Sequence, residues 1–288
     1  MKAFQTFPLP DNVSTITALA WDPAGRHIAG TSANGWVLVW DVATGQMVLC
    51  RRLARTRFLS VTWSRNGRCL LLGGENQVLI IVQVRDGAIA LSHQFAAPVQ
   101  KVAFARQSGR FLVAAGSVVH VYDDPHQPSL KVVQPSPVVD AAWSPTAGRF
   151  AAVCQHGDVL VYNVLRRHPV YTLCDAGEPR AVAWNPNGRD VAVGTAQGRI
   201  AIHHGSTGLR LSTYPVSTHP ITSLCWGDPC LVVLDAHDEM MLWHPLLGKQ
   251  QNGLCQRYSP GHYAVAFSQD TSQIAAAIQH TIQVISAG

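Results

Sequence analysis

The sequence predicts an all-β protein made of seven small antiparallel sheets in series. Composition is the first observation: 14% of the 288 residues are charged, with only 3 Glu and 4 Lys, against about 25% charged in an average soluble domain. Glu and Lys are the usual surface residues of helices, so this chain is not expected to be helical. A hydrophobic content of 47% excludes disorder. The other two observations are a repeat and the turn residues placed regularly inside it.

The repeat is marked by an aromatic residue that follows an alternating apolar stretch. Its seven copies, the anchor residues, are Trp21, Trp63, Phe104, Trp143, Trp184, Trp226 and Phe267. The steps between them are 42, 41, 39, 41, 42 and 41 residues. A Gly-Arg turn follows five of the anchors, beginning at Gly25, Gly67, Gly109, Gly148 and Gly188. A unit that keeps this phase from end to end indicates a repeat architecture.

The first unit shows what one repeat contains. Four β-rich runs stand at residues 16–21, 27–32, 36–42 and 46–53. Turn residues such as Asn34-Gly35 and Thr44-Gly45 separate them. Four short antiparallel strands per unit, repeated in series, predict the blades of a seven-bladed β-propeller.

The last unit predicts how the series of sheets is completed. It ends with the run at 281–286, its third strand, while an alternating stretch at 2–9 precedes the first unit. An incomplete sheet exposes an edge that invites aggregation. We therefore expect residues 2–9 to supply the fourth strand of the last blade and residues 1–288 to form a single domain.

Short motifs agree with this reading. Trp40-Asp41 ends the third strand of the first unit, and degenerate copies follow at Tyr122-Asp123, Tyr162-Asn163 and Trp243-His244. Gly261-His262 and the weaker Thr218-His219 precede first strands. In these features the chain resembles the WD-repeat β-propeller family over its whole length. The resemblance implies a last blade shared between the two ends of the chain, and a hydrogen bond from His262 within its own blade.

The sequence lacks the motifs of common catalytic and cofactor sites. It has no GxxxxGK[ST] loop, no strand–GxGxxG–helix unit and no GxSxG, HExxH or SxxK motif. The 13 histidines lack metal-ligand spacing, and the neighbours His203 and His204 would point to opposite faces of a strand. Acidic residues at 123–124 and 235–239 are interpreted as turn formers. We expect no enzyme activity, no metal and no cofactor.

The cysteines favour a cytoplasmic location. There are seven, without a CxxC pair, and several lie in apolar stretches, among them Cys69, Cys154 and Cys225. Such cysteines are typical of free thiols in a reducing compartment. No window approaches about 18 uninterrupted apolar residues, so no membrane span is expected. The first ten residues lack the apolar core of a secretory signal.

Positive charge is concentrated in the first three blades. Residues 26–110 hold eleven Lys or Arg against three Asp or Glu, a local net charge of +8. The densest stretch, which we call the basic run, consists of Arg51, Arg52, Arg55 and Arg57. Five more Arg follow the turn glycines, which the family geometry would place on one rim. An anionic partner would explain this charge, whereas ordinary turn chemistry is the alternative.

The family resemblance also implies where a partner would bind. Its interaction surface is formed by the loops that enter each first strand and by the turns between second and third strands. Aligned on the anchors, the first set gives the junction residues Arg57, Leu59, Gln100, Glu178, Arg180, Thr222 and Tyr263. The turns contribute Asn34, His156, Gln197 and His237. Tyr263, Arg57 and Arg180 are the preferred contacts because Tyr and Arg are typical interface anchors; otherwise these positions are simply exposed strand ends.

Three functions remain open from the sequence. The first is a non-catalytic scaffold or adaptor that binds a protein or peptide, a monomer that joins a larger complex; replacing Arg57 and Tyr263 together by Ala should then weaken binding without unfolding. The second is a small-ligand or enzymatic site in the central channel, for which Asp140 and Lys101 are the polar candidates. The third is binding of nucleic acid or an acidic partner through blades one to three.

Overall fold

The computed structural model describes residues 5–173, 177–237, 239–245, 249–250, 256–257, 264–278 and 280–286. The chain comprises two compact units, Met1–Phe104 with Ser259–Gly288, and Ala105–Tyr258. The single domain expected over residues 1–288 stays a prediction. No helix in the described ranges has the length and apolar character needed to cross a bilayer.

Seven antiparallel sheets make up an all-β, seven-bladed propeller, as the sequence predicts. The first three sheets are β2 (Ile16–Trp21), β3 (His27–Ser32), β4 (Trp36–Asp41) and β5 (Met47–Arg52); β6 (Phe58–Trp63), β7 (Cys69–Gly74), β8 (Val78–Gln83) and β9 (Ile89–Gln94); and β10 (Val99–Phe104), β11 (Phe111–Ala115), β12 (Val118–Asp124) and β13 (Gln127–Val133). In each of them the strands pair in chain order.

The next three sheets repeat this order. They are β14 (Val138–Trp143), β15 (Arg149–Cys154), β16 (Val159–Asn163) and β17 (Pro169–Leu173); β18 (Pro179–Trp184), β19 (Asp190–Thr195), β20 (Arg199–His204) and β21 (Arg210–Pro215); and β22 (Ile221–Trp226), β23 (Leu231–Asp235), β24 (Glu239–His244), β25 (Lys249–Gln250) and β26 (Gln256–Arg257). In the last of these, β25 and β26 both pair with β24, so two short segments occupy the position of a fourth strand.

The seventh sheet joins distant parts of the sequence. It consists of β27 (Val265–Phe267), β28 (Gln273–Ile278), β29 (Thr281–Ser286) and β1 (Gln5–Pro8). Strand β1 pairs antiparallel with β29, with Gln5 opposite Val284 and Pro8 opposite Thr281. The prediction that the N-terminal strand completes the last blade is therefore confirmed.

Each anchor residue is the last residue of the first strand of its sheet, as in Trp21 of β2 and Phe267 of β27. A small polar residue follows several anchors and holds the next turn. The carboxylate of Asp22 and the hydroxyl of Ser64 each accept a hydrogen bond from the backbone N–H five residues later, at His27 and Cys69. These turns depend only on residues close together in the sequence, which is why their positions can be predicted from the sequence alone.

The core lies between neighbouring sheets. Middle strands such as β3 and β7 are buried on almost every residue, because both faces of each sheet are covered. In the unit that contains the first sheet, Ala29 and Val39 pack with Phe58 and Trp63 of the second. Outer strands are exposed by contrast, as in β9. Sheet-on-sheet packing thus leaves the turns, the outer strands and the ends of the inner strands for function.

Candidate interaction surface

A β-bulge recurs in the first strand of five sheets, always four positions before the anchor. The pairing with the second strand skips one residue, between Phe58 and Ser60 in the second sheet and between Pro179 and Ala181 in the fifth. The skipped residues are Thr17, Leu59, Val139, Arg180 and Thr222. A bulge leaves its extra residue out of the ladder and re-aims its side chain. Three of the junction residues, Leu59, Arg180 and Thr222, therefore occupy equivalent bulges.

In the compact unit formed by Met1–Phe104 and Ser259–Gly288, the described junction residues differ in how they are held. Gln100 is exposed, whereas Leu59 and Arg57 are half-buried. The Nε of Arg57 is shielded from solvent and has no hydrogen-bond partner among the described residues. In the neighbouring turn, the amide of Asn34 donates to the carbonyl oxygen of Asn12 (2.9 Å) and accepts from the N–H of Ser14 (3.2 Å). Asn34 therefore stabilises the loop that enters the first sheet.

In the other compact unit, Ala105–Tyr258, two junction residues contact each other. The Nη2 of Arg180 lies 2.9 Å from Oε2 of Glu178, an ion pair between two partly exposed side chains. The N–H of Glu178 also binds Oε1 of Gln197, at 3.2 Å. Thr222 is exposed, and its hydroxyl donates to the carbonyl oxygen of Leu234 (3.3 Å). Glu178 directly precedes β18 and Arg180 is its bulge residue, so this ion pair links the entering loop to the strand.

Two stretches of the sequence match family models. Residues 4–41 match the WD domain, G-beta repeat, and residues 138–229 match the anaphase-promoting complex subunit 4 WD40 domain. Seven sheets of the kind such repeats form are present in the same chain. Together, the two matches and the seven sheets support the WD-repeat β-propeller family for this chain. A search of curated proteins returned no match. WD-repeat propellers are generally protein-interaction scaffolds and are typically non-catalytic.

Two residues singled out by the resemblance, Tyr263 and His262, lie outside the described residues. The weaker motif at Thr218-His219 is described, and sequence reasoning undervalued it. Nδ1 of His219 lies 3.8 Å from the buried carboxylate of Asp235, and its ring stacks on that of His237 with 3.6 Å between centroids. Asp235 also accepts hydrogen bonds from the hydroxyl of Ser217 and the N–H of His237. In the sixth blade of the WD-repeat propeller, the carboxylate of Asp235 thus holds Ser217, His219 and His237 together.

The basic run is partly engaged in holding the propeller together. The Nη1 of Arg51 donates to the carbonyl oxygen of Asp86 in the next sheet (3.2 Å), and the Nε of Arg52 donates to that of Asn34 (3.0 Å). Arg55 is exposed and has no hydrogen bond or ion pair within the part of the chain that the structure describes. Two of the four arginines thus already satisfy backbone carbonyls.

The arginines of the five Gly-Arg turns divide in a similar way. Arg110 forms an ion pair with Asp123 (Nε to Oδ1, 2.6 Å), and Arg149 donates to the carbonyl oxygens of Gly205 and Ser206. Exposed arginines whose side chains make no such contact with described residues are Arg26, Arg68 and Arg189. Only this second group presents unengaged positive charge.

Asp140, one of the two polar candidates for a channel site, is buried between sheets. Its Oδ2 accepts the N–H of Val182 at 3.0 Å, across the contact between the fourth and fifth sheets. Ser60 makes the matching contact in the other unit, with its hydroxyl bound to the N–H of Val102 (3.1 Å). Asp140 therefore stabilises blade packing, while Lys101 is half-buried. Over the described ranges, no three His, Cys, Asp or Glu gather as metal ligands would.

Proposed function

We propose that this WD-repeat propeller is a non-catalytic scaffold that binds a protein or peptide partner through its junction residues. The observation that carries the proposal is the repeated bulge, which leaves Leu59, Arg180 and Thr222 out of the strand pairing at equivalent positions of three sheets. Bulges that re-aim side chains in this way are over-represented beside functional sites. The half-buried Arg57 adds a cationic side chain two residues before the bulge residue Leu59.

The match over residues 138–229 supports a further element of the proposal. The family model there describes a domain of a subunit of the anaphase-promoting complex. We infer by analogy that this propeller also works as a subunit of a multi-protein assembly. A cytoplasmic location is part of the same proposal, since thiols such as the buried Cys154 stay free in a reducing compartment.

The experiment begins with affinity capture from the native cell and continues with the purified partner. Binding is measured for two double variants, Arg57→Ala with Leu59→Ala in one unit and Arg180→Ala with Thr222→Ala in the other. At least one should bind about tenfold more weakly, since a few residues carry most interface energy. The controls Arg26→Ala and Arg189→Ala remove exposed arginines elsewhere and should bind as the wild type does. Wild-type affinity in both double variants would place the contact on another surface.

A second candidate function, binding of an anionic partner, is favoured by one separate observation. The turns of the first and second sheets lie side by side, since a Cβ built on Gly67 would stand 4.0 Å from Cδ of Pro23. This brings together the turns that carry the exposed Arg26, Arg65 and Arg68. Binding of a labelled oligonucleotide at low salt, its steep loss with added salt and its loss in Arg26→Gln with Arg68→Gln are the expected results. No binding at low salt removes this candidate.

A further inference from the structure

The outer strand of the second sheet, β9, differs in composition from the other outer strands. It is exposed along most of its length, and it pairs with β8 on one side only. Natural proteins usually place a charged residue or a proline on such an edge, because either one prevents pairing with another chain. Strand β9 has neither, whereas every other outer strand within the described ranges has at least one. These residues include Arg51 and Arg52 in β5, Pro128 and Lys131 in β13, Pro169 in β17, Pro215 in β21, Lys249 in β25, Arg257 in β26 and Pro8 in β1.

The backbone groups of Ser92 and Gln94 point to the free edge of β9. Directly after the strand, the N–H of Phe95 donates to the carbonyl oxygen of Gln77, on the side of β8 (2.8 Å). In an antiparallel pair, successive residues direct their backbone groups alternately toward the partner strand and away from it. The residues one and three positions before Phe95 therefore face away from β8. The pairing with β8 is regular over this part of β9, since its bulge lies nearer the start of the strand.

Equivalent positions in other sheets support this assignment of the free edge. Gln94 lies opposite the first residue of the third strand in its sheet, and the same position is occupied by Pro8 in the seventh sheet and by Pro215 in the fifth. Proline is tolerated within a sheet where its missing N–H would face solvent. The position of Ser92 is occupied in the third sheet by Lys131. The protein thus protects the edges of three other sheets at the two positions where β9 is open.

The two ends of β9 differ in charge. Arg85 and Asp86 are exposed in the turn that leads into β9, and Arg51 of the first sheet donates to a carbonyl oxygen of the same turn. This end therefore has a net positive charge. At the other end stands the exposed Glu75, next to Asn76, whose carbonyl oxygen accepts a hydrogen bond from the last side chain of β9 (3.2 Å). A copy of this edge turned antiparallel would set the positive end of each strand beside the negative end of the other.

We propose that β9 pairs antiparallel with β9 of a second copy of this chain and so forms a symmetric dimer. The backbone groups of Ser92 and Gln94 supply the hydrogen bonds between the two strands, as in other cases of strand addition. Two-fold symmetry makes each contact occur twice, including the attraction between Arg85 of one copy and Glu75 of the other. A strand of unrelated sequence would lack this match at both ends. Strand β9 contains none of the junction residues, so the dimer goes beyond the proposed function, and it replaces the monomer expected from the sequence.

Sedimentation velocity of the purified chain between about 1 and 100 μM tests the dimer, since small interfaces are weak. The mass of the wild type should rise from that of one chain toward that of two. Gln94→Pro and Ser92→Lys copy residues that other outer strands already hold, so each should stay monomeric and keep the wild-type unfolding temperature. The matched control is Val133→Pro, at the position of β13 equivalent to Gln94, which should dimerise as the wild type does. A wild type that stays monomeric throughout, or a folded Ser92→Lys variant that still dimerises, overturns the proposal.

Charge reversal tests the antiparallel arrangement of the two copies. Arg85→Glu should weaken the dimer about fivefold, because an exposed ion pair is weak but occurs twice. Arg85→Glu combined with Glu75→Arg should restore the wild-type affinity, since the exchanged charges again meet across the two-fold axis. Failure of the second change to restore dimerisation overturns the antiparallel pairing. Growth of the wild type beyond two chains overturns the closed symmetric dimer.

Discussion

The indole Nε1 of Trp63 donates a hydrogen bond to the carbonyl oxygen of Ala20, 3.0 Å away in the neighbouring sheet. The indole of Trp21 repeats this contact with the carbonyl oxygen of Ala266, at 3.1 Å. In both cases the acceptor precedes the anchor of the adjacent blade by one residue. Two anchors of the aromatic repeat, Trp21 and Trp63, therefore also form polar links between neighbouring sheets.

Replacement of Trp63 by Phe tests the energetic weight of this link. Phe already stands at two of the anchor positions, Phe104 and Phe267, so the ring shape is tolerated. Loss of the N–H removes this link to the carbonyl oxygen of Ala20, and we expect a loss of about 0.5–1.5 kcal/mol in the free energy of unfolding. Chemical denaturation measures it. Trp36→Phe is the control, because the half-buried Trp36 makes no indole hydrogen bond to described residues, and an equal effect in both variants would contradict the role of the bond.

The turn glycines Gly208 and Gly45 should differ in their tolerance of alanine. Both have a positive φ, +75° and +73°, which costs a side chain roughly 1 kcal/mol. A Cβ at Gly208 would stand 2.5 Å from Cδ2 of Tyr171, whereas one at Gly45 would have nothing within 4 Å. Gly208→Ala should lower the melting temperature clearly more than Gly45→Ala. Equal shifts would mean that the ring of Tyr171 moves aside freely.

Asp140 should tolerate asparagine better than alanine. Asp140→Ala removes the acceptor of the buried N–H of Val182, which costs about 1–3 kcal/mol. Asp140→Asn keeps an oxygen in the same place and should recover most of that loss. Urea denaturation of the two variants measures the difference. If the alanine and asparagine variants were equally stable, the hydrogen bond to Val182 would not be the important contact.

The ion pair of Arg110 with Asp123 predicts a dependence of stability on pH. The hydrogen bond from Arg110, followed by one from Ser129, holds the pKa of Asp123 below its ordinary value of 3.8. Because the folded state has the lower pKa, the stabilisation is present above that value and is lost as the pH falls through the folded pKa. Both side chains are partly exposed, so the contribution stays below about 1 kcal/mol.

The measurement compares thermal unfolding of the wild type and Asp123→Asn between neutral and acidic pH. The wild type should be the more stable of the two at neutral pH, and the difference should shrink below pH 3.8. In Arg110→Gln, NMR titration should show the pKa of Asp123 returning toward its ordinary value. A difference in stability that stays constant with pH contradicts the assignment.

The strand order and the anchors could be predicted from the sequence because both depend on local signals. The first unit shows this well, since the predicted strands at 16–21 and 27–32 have the observed bounds of β2 and β3. The pairing of β1 with β29 could also be predicted, because seven repeats of similar length left one sheet short of a strand. Turn residues and periodic aromatics need no knowledge of distant contacts.

The candidate site could be predicted in position but not in detail. Counting from the anchors located Leu59 and Arg180, but the bulge that frees them depends on how two strands pair, which no single strand reveals. The basic run looked uniform in sequence, yet Arg51 contacts a carbonyl oxygen at Asp86 that neighbours it only in three dimensions. Likewise, Arg149 donates to the carbonyl oxygen of Gly205, which is distant from it in the sequence.

The pairing of Gln5–Pro8 with Thr281–Ser286 has a consequence for biosynthesis. While the ribosome is still translating the intervening residues, β1 has no partner, and the first sheet lacks the completed seventh sheet, whose Phe7 and Ile282 pack in one cluster with Ile28 and Leu38. Contacts between such distant residues form late, and unpaired strand edges are prone to aggregate in the meantime. The nascent chain thus has to keep β1 accessible, and shielded from wrong partners, until β29 leaves the exit tunnel.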